Sequence, residues 1–136
     1  MTKTAERTEF LSRNLGILSE IERMEESQLS TTYQPLFHKT ELGNAKRLVS
    51  RHGQDIRYCT QWHKWLVWER TQWIVDETGE IDRKAKETVR SIYEEAAVTT
   101  DTDERLARAK WAVRSESAWR IRAMISLAKS ELSIPV

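Results

Sequence analysis

Residues 41–81 read ELGNAKRLVSRHGQDIRYCTQWHKWLVWERTQWIVDETGEI, and the change of period inside this stretch decides the fold. At its start Leu42, Ala45, Leu48 and Val49 recur at intervals of three and four, the period of a helix with one apolar face. Thr40 stands before Glu41 as an N-cap, and Gly53 stands where a left-handed residue would stop the helix. Beyond Gly53 the apolar residues come in short blocks instead. Residues 56–59, 64–69 and 72–77 are predicted as three strands of an antiparallel meander, joined by TQWH and by a turn at Glu69-Arg70. A two-residue turn prefers Asn-Gly or Asp-Gly, so Glu69-Arg70 predicts a looser connection. In the second strand Trp65 and Val67 project to one side, Leu66 and Trp68 to the other. Both faces are apolar, and one of them must meet helices or a partner.

Downstream of Thr78-Gly79, the spacing of Ile81, Ala85, Val89, Ile92, Tyr93 and Ala96 predicts a helix that ends at the β-branched run Val98-Thr99-Thr100. A second helix starts at Thr102 with Asp103 and Glu104 in its first turn, where carboxylates favour the helix dipole, and carries Leu106, Ala109 and Val113. Ser115 and Ser117 mark a capped break. A third helix, 118–129, puts Ile121, Met124, Ile125 and Ala128 on one face, and Pro135 marks the exit. Upstream, Phe10, Leu11, Leu15, Leu18, Ile21 and Met24 predict an amphipathic helix within 8–29. It crosses Gly16 at a cost of about 1 kcal/mol and needs a surface to rest on. Residues 30–39 read as an extended connector. The expected organisation is therefore a helix and connector over 1–39 and a domain over 40–136. The fold class is α+β, mostly helical: a small three-stranded antiparallel meander packed with about four helices.

A chain of 136 residues fits one domain and removes on the order of 70% of its unfolded surface from water. Lys and Arg number 22 against 21 Asp and Glu, a net charge of +1, so any basic site must be local. The single cysteine, Cys59, rules out an internal disulfide and suits a reducing, cytoplasmic setting. No apolar run has the length of a signal peptide or a membrane span.

Catalytic signatures are missing. There is no G-x-x-x-x-G-K-[ST] phosphate loop, and the glycines at 16, 43, 53 and 79 are too scattered to cradle a phosphate. Acidic pairs such as Glu25-Glu26 and Glu94-Glu95 lie in charge-mixed helical repeats typical of solvated faces. Cys59 and His63, with His38 and His52 upstream, lack the second half of a zinc site, and nothing orients them as a nucleophile pair. No enzyme, metal or cofactor is expected.

The run from Thr40 to Ile81, then KAKETVRSIYEEA, then RSESAWRIRAMISLAKSELSIPV, resembles the helicase-preceding domain of phage and plasmid primase-helicases, which has relatives in the poxvirus primase-helicase. The likeness is most specific at Leu42-Gly43-Asn44-Ala45, Arg51-His52-Gly53, Arg57-Tyr58, Trp65-Leu66-Val67-Trp68 and Trp73. The family usually has an Asp-Gly-like turn where this chain has Glu69-Arg70. The resemblance implies a non-catalytic module of mobile-element DNA replication that binds DNA or positions a superfamily 3 helicase motor; in the family that motor follows the segment, here beyond Val136. Its partners would be DNA and a helicase or primase protein of the same element. The alternative is a freestanding interaction module that docks onto, or inhibits, such a replication protein.

Two regions compete for the contact surface. Trp62, Trp65, Trp68 and Trp73 are four of the six tryptophans and interleave with Lys64 and Arg70. They would stack bases while Arg57, Lys64 and Arg70 meet phosphates, or they would pack as core, which the double-sided alternation favours for Trp65, Trp68 and Trp73 with their indole N–H groups satisfied nearby. Trp62, in the connection, is freer to meet a partner. The last two helices carry seven cations against four acids, an excess of three. Among them Arg108, Lys110, Arg114, Arg120 and Arg122 are candidates for the DNA backbone, or else a solvated face. Phe10, Leu15, Leu18, Ile21 and Trp119 are candidates for partner docking, and the wide apolar face of the last helix permits a homo-oligomer.

Overall fold

The protein is described here by a computed structural model covering residues 37–135. The elements in chain order are α1 (Glu41–His52), β1 (Ile56–Cys59), β2 (Lys64–Glu69), β3 (Gln72–Val75), α2 (Glu80–Val98), α3 (Thr102–Ser115), α4 (Ala118–Leu132) and β4 (Ser133–Ile134). The predicted N-terminal helix, with Phe10, Leu15, Leu18 and Ile21, lies outside the described residues.

Local chemistry accounts for the helix boundaries. Thr40 caps α1 by accepting a hydrogen bond on its hydroxyl from the Gly43 N–H at 2.9 Å. Gly53 ends the helix, but not in the expected left-handed state: its φ of −59° and ψ of −23° are right-handed, and its N–H donates to the Val49 carbonyl. Glycine is needed here because a Cβ would overlap that carbonyl oxygen. Gly79, at φ 82°, precedes α2 without a side chain to cap it. Asp76 takes that role from three residues upstream, accepting the N–H groups of Glu80 and Ile81 at 2.9 Å each and of Thr78 at 3.3 Å. Asp101 caps α3 through the Glu104 N–H at 2.8 Å. Between α3 and α4, Ser117 occupies the N-cap position without making a side-chain cap, and Ser115 is buried and serves another purpose.

The sheet has four strands in the order β3-β2-β1-β4, which corrects the expected three. β1 runs antiparallel to β2 with Ile56 opposite Val67 and Tyr58 opposite Trp65. β4 adds in parallel on the other side of β1, Tyr58 opposite Ser133 and Cys59 opposite Ile134, so the sheet is mixed. A two-residue strand has no period for sequence reading to detect. Pro135, read as an exit signal, stands just past this edge, where its missing N–H costs no ladder bond.

One core joins these parts. Ala45 and Leu48 of α1, Ile81, Ala85 and Val89 of α2, and Met124, Ile125, Ala128 and Leu132 of α4 pack with Ile56, Tyr58, Trp65 and Val67. These four strand residues alternate, so three helices meet one face of the sheet. The Tyr58 and Trp65 rings form a tilted cross-strand pair with centroids 5.2 Å apart. Full burial of a side chain such as Leu48 or Ile56 contributes about 1.5–3 kcal/mol. Cys59 and Leu66 are buried outside that cluster. Ile92 of α2 with Trp111 and Ala112 of α3 makes a second, smaller one.

By its contacts the chain divides into two units: 37–67 and 74–135 form the body just described, and the hairpin tip Trp68–Trp73 falls in the other. Within the tip, Trp68 and Trp73 meet edge to face at 5.4 Å. β2 runs to Glu69 and β3 begins at Gln72, so the turn is a tight one on Arg70-Thr71, not the looser Glu69-Arg70 connection expected. Arg70 takes a φ of 57°, a left-handed state that glycine or asparagine adopts at less cost. The core reading holds for Trp65, whereas Trp73 stays 37% exposed. The indole N–H groups of Trp65 and Trp68 are buried without a hydrogen-bond partner among the described residues, contrary to the expectation that they would be satisfied.

Candidate nucleic-acid interface

α3 supplies the central face of the candidate site, and a buried polar hub sets its position. Arg47 of α1 is only 2% exposed and donates from Nε to Glu95 of α2 at 2.6 Å, from Nη1 to the His38 carbonyl at 2.8 Å and to Asn44 Oδ1 at 3.0 Å. Its Nη2 donates to the Phe37 carbonyl at 3.2 Å. Glu95 also receives Arg108 of α3 at 3.3 Å. Asn44 joins α1 to α3 twice: its Nδ2 donates to Ser115 Oγ at 3.0 Å, and its Oδ1 accepts from Trp111 Nε1 at 3.0 Å. Gly43 lets the residues before α1 lie close against the helix, since a Cβ there would overlap the His38 carbonyl. Two guanidinium groups and a carboxylate are thus desolvated together, with their hydrogen bonds directed at one another and at backbone carbonyls.

The hub inverts the expected face of α3. Its buried positions are Arg108, Trp111, Ala112 and Ser115, spaced by three and four, while Leu106 and Val113 are 55% and 58% exposed. Arg108, a candidate phosphate contact on its sequence, is 6% exposed and pairs with Glu95 and, at 3.0 Å, with Glu104; it is a structural residue. The sequence pattern placed leucine and valine inside because it could not register Glu95, which supplies the charge that Arg108 needs for burial.

With Arg108 turned inward, the flank of α3 presents other cations. Lys39, Ala107, Lys110, Trp111 and Arg114 line an open depression, the four helical residues falling on one face at spacings of three and four. No acid lines it. Lys39 is held at its edge by a 2.8 Å ion pair with Glu104, whose carboxyl the Lys39 hydrogen bond holds below its ordinary pKa. The side chains of Lys110 and Arg114 are exposed and make no hydrogen bond or ion pair among the described residues.

Beside the depression, the start of α4 carries Trp119 and Arg120. The Arg120 guanidinium lies 4.4 Å from the Trp119 ring centroid and 5.6 Å from that of Trp111. It also donates to the Arg114 carbonyl at 3.4 Å and approaches Glu41 of α1 at 3.3 Å. Trp119 itself is 52% exposed. Arg122, two residues on, is exposed.

The structure therefore brings Lys110, Arg114, Trp119 and Arg120 of the predicted residues into one region and adds Lys39, which sequence reading passed over as part of a connector. The remaining candidates are elsewhere. Arg57 is half-buried and donates to the carbonyls of Gly53 and Ile56. Trp62, 50% exposed, and Lys64 occupy the β1–β2 connection and the start of β2, and Arg70 is exposed in the hairpin tip. Among the described residues no group of three or more histidine, cysteine or acidic side chains could hold a metal ion, and no helix is long and apolar enough to cross a membrane.

The geometry defines an α+β domain in which a sheet and a polar hub set helices around one cationic face. Residues 45–136, about two-thirds of the chain, match the family model described as D5 N terminal like, and the chain belongs to this family, the N-terminal domain of D5-like primase-helicase proteins. Neither a curated protein nor a solved structure gives a significant match.

Proposed function

We propose that this domain is a non-catalytic module of mobile-element DNA replication that contacts the nucleic-acid backbone through the α3 depression and serves the helicase or primase protein of the same phage or plasmid element, in the cytoplasm. Family membership supports the replication context. The observation that carries the contact is the depression edged by Lys39, Lys110 and Arg114, which no acid lines and two of whose cations have no hydrogen bond or ion pair among the described residues. Phosphate contacts release counterions, so binding falls with salt in proportion to the number of contacts.

The test is fluorescence anisotropy of labelled DNA at low and physiological salt. The expected outcome is salt-sensitive binding that the double variant Lys110→Ala/Arg114→Ala weakens, with the slope of log K against log salt reduced by about 1.5. Arg90→Ala, which removes an exposed arginine of α2, should leave it unchanged. No binding at low salt, or equal loss in the variant and the control, overturns the assignment.

A second reading, a module that docks onto a replication protein of the element, is favoured by the exposure of Leu106 and Val113, seven residues apart on α3 with Lys110 between them. Co-elution with the full-length primase-helicase that Leu106→Ser/Val113→Ser abolishes, without any DNA binding, would select it.

A further inference from the structure

We infer that the strand taken by this face is single, its phosphates lying over Lys110 and Arg114 and one of its unpaired bases stacking on Trp119. This inference rests on the nucleic-acid reading proposed above and adds strand choice to it. Trp119 is more than half exposed, which is an uncommon state for the largest apolar side chain. It is nevertheless held in place, because Arg120 lies 4.4 Å over its ring. Arg120 in turn faces Trp111 at 5.6 Å, so aromatic, cation and aromatic groups follow one another from the floor of the depression outward. Trp111 anchors the series through its N–H bond to Asn44, and Glu41 and the Arg114 carbonyl fix Arg120.

This arrangement ends at the outer surface of the Trp119 ring, where another flat group can continue the series. A nucleobase suits it: every base has a π face, and the ring is already oriented, so little side-chain entropy is lost on contact. The bases of a duplex are stacked on one another and offer no such face; an unpaired strand does. The cations for its phosphates lie on the adjacent face of α3, joined to the ring through Arg120. Stacking does not by itself select among bases, because it uses the ring face that all of them share and not their hydrogen-bonding edges. The expected preference is therefore for unpaired strand over duplex, with little sequence dependence.

The experiment compares three labelled probes of equal length: oligothymidine, the same backbone with abasic sites, and a duplex. Wild type should bind oligothymidine about tenfold more tightly than the abasic strand, the effect of one stacked base. Trp119→Ala should abolish that difference and Trp119→Phe should retain most of it, with thermal melts confirming that both variants are folded. If oligothymidine and abasic strand bind wild type equally, or Trp119→Ala behaves as wild type, while Lys110→Ala/Arg114→Ala still loses binding, the stacking inference falls and the backbone reading stands. If no probe binds at low salt, both fall.

Discussion

Asn44 is the residue on which most of the interior depends. It accepts from Trp111 and Arg47 and donates to Ser115, so its removal leaves buried groups on two helices without partners. Asn44→Ala should destabilise the domain by about 3 kcal/mol in urea titrations, near the upper cost of leaving a buried donor unpaired. A loss under about 1 kcal/mol would mean that water or rearrangement replaces the amide. The sequence hinted at this position only by placing a polar residue among Leu42, Gly43 and Ala45. Leu42, which the period assigned to the apolar face, is 52% exposed, while Asn44 is fully buried. The buried face is rotated because Asn44 finds its partners 67 and 71 residues away, beyond any local window.

Among the elements, α2 shows how a helix with no side chain at its N-cap is still held. Burial of Asp76 raises its pKa, but the N–H groups of Ile81, Glu80, Thr78 and Gly79 more than offset this and hold its carboxyl below the usual value. A depressed folded-state pKa means stability that is present above the ordinary aspartate range and lost as pH falls through the lower folded value. Asp76→Ala should therefore cost about 1 kcal/mol at neutral pH, and its melting temperature should converge with that of wild type in acid. A gap that persists in acid would assign the effect to something other than the charged cap. The elements themselves were largely legible. The N-caps at Thr40 and the acid-rich start of α3, the strand blocks around the tryptophans and the three-four spacing of α2 and α4 are local signals, and each element stands where it was expected. β4 was not legible, since pairing with β1 rather than its own two residues makes it a strand. The orientation of α3 was not either, because its period is apolar on the face that remains in water.

For the molecule as a whole, the candidate face was legible as composition and not as geometry. The surplus of cations over 102–132 is plain in the sequence. Which of them point outward depends on Glu95, which claims Arg108, and on Glu41, which approaches Arg120. The same hub holds the residues before α1: Arg47 bonds the carbonyls of Phe37 and His38, and so brings Lys39 to the edge of the depression. A lesion in the hub should therefore reach the surface. Arg47→Ala should reduce stability by about 3–5 kcal/mol, because Glu95 loses one of its two buried cations. At temperatures where the variant is still folded it should also weaken DNA binding, as the Lys39 segment comes free. Unchanged affinity in the folded variant would show that Lys39 contributes nothing.

The hub also has a kinetic meaning. Its bonds from α1 to Glu95, Trp111 and Ser115 join residues separated by 48, 67 and 71 positions, so these three cannot form until large loops have closed, whereas the helices and the β1–β2 pairing need only near neighbours. Closure entropy has to be met before such contacts stabilise anything. Groups that lock in after the barrier change the rate of opening and not the rate of collapse. In stopped-flow experiments Asn44→Ala should thus steepen the escape from the native state while refolding proceeds at nearly the original speed, which would make the hub a latch on a body already assembled.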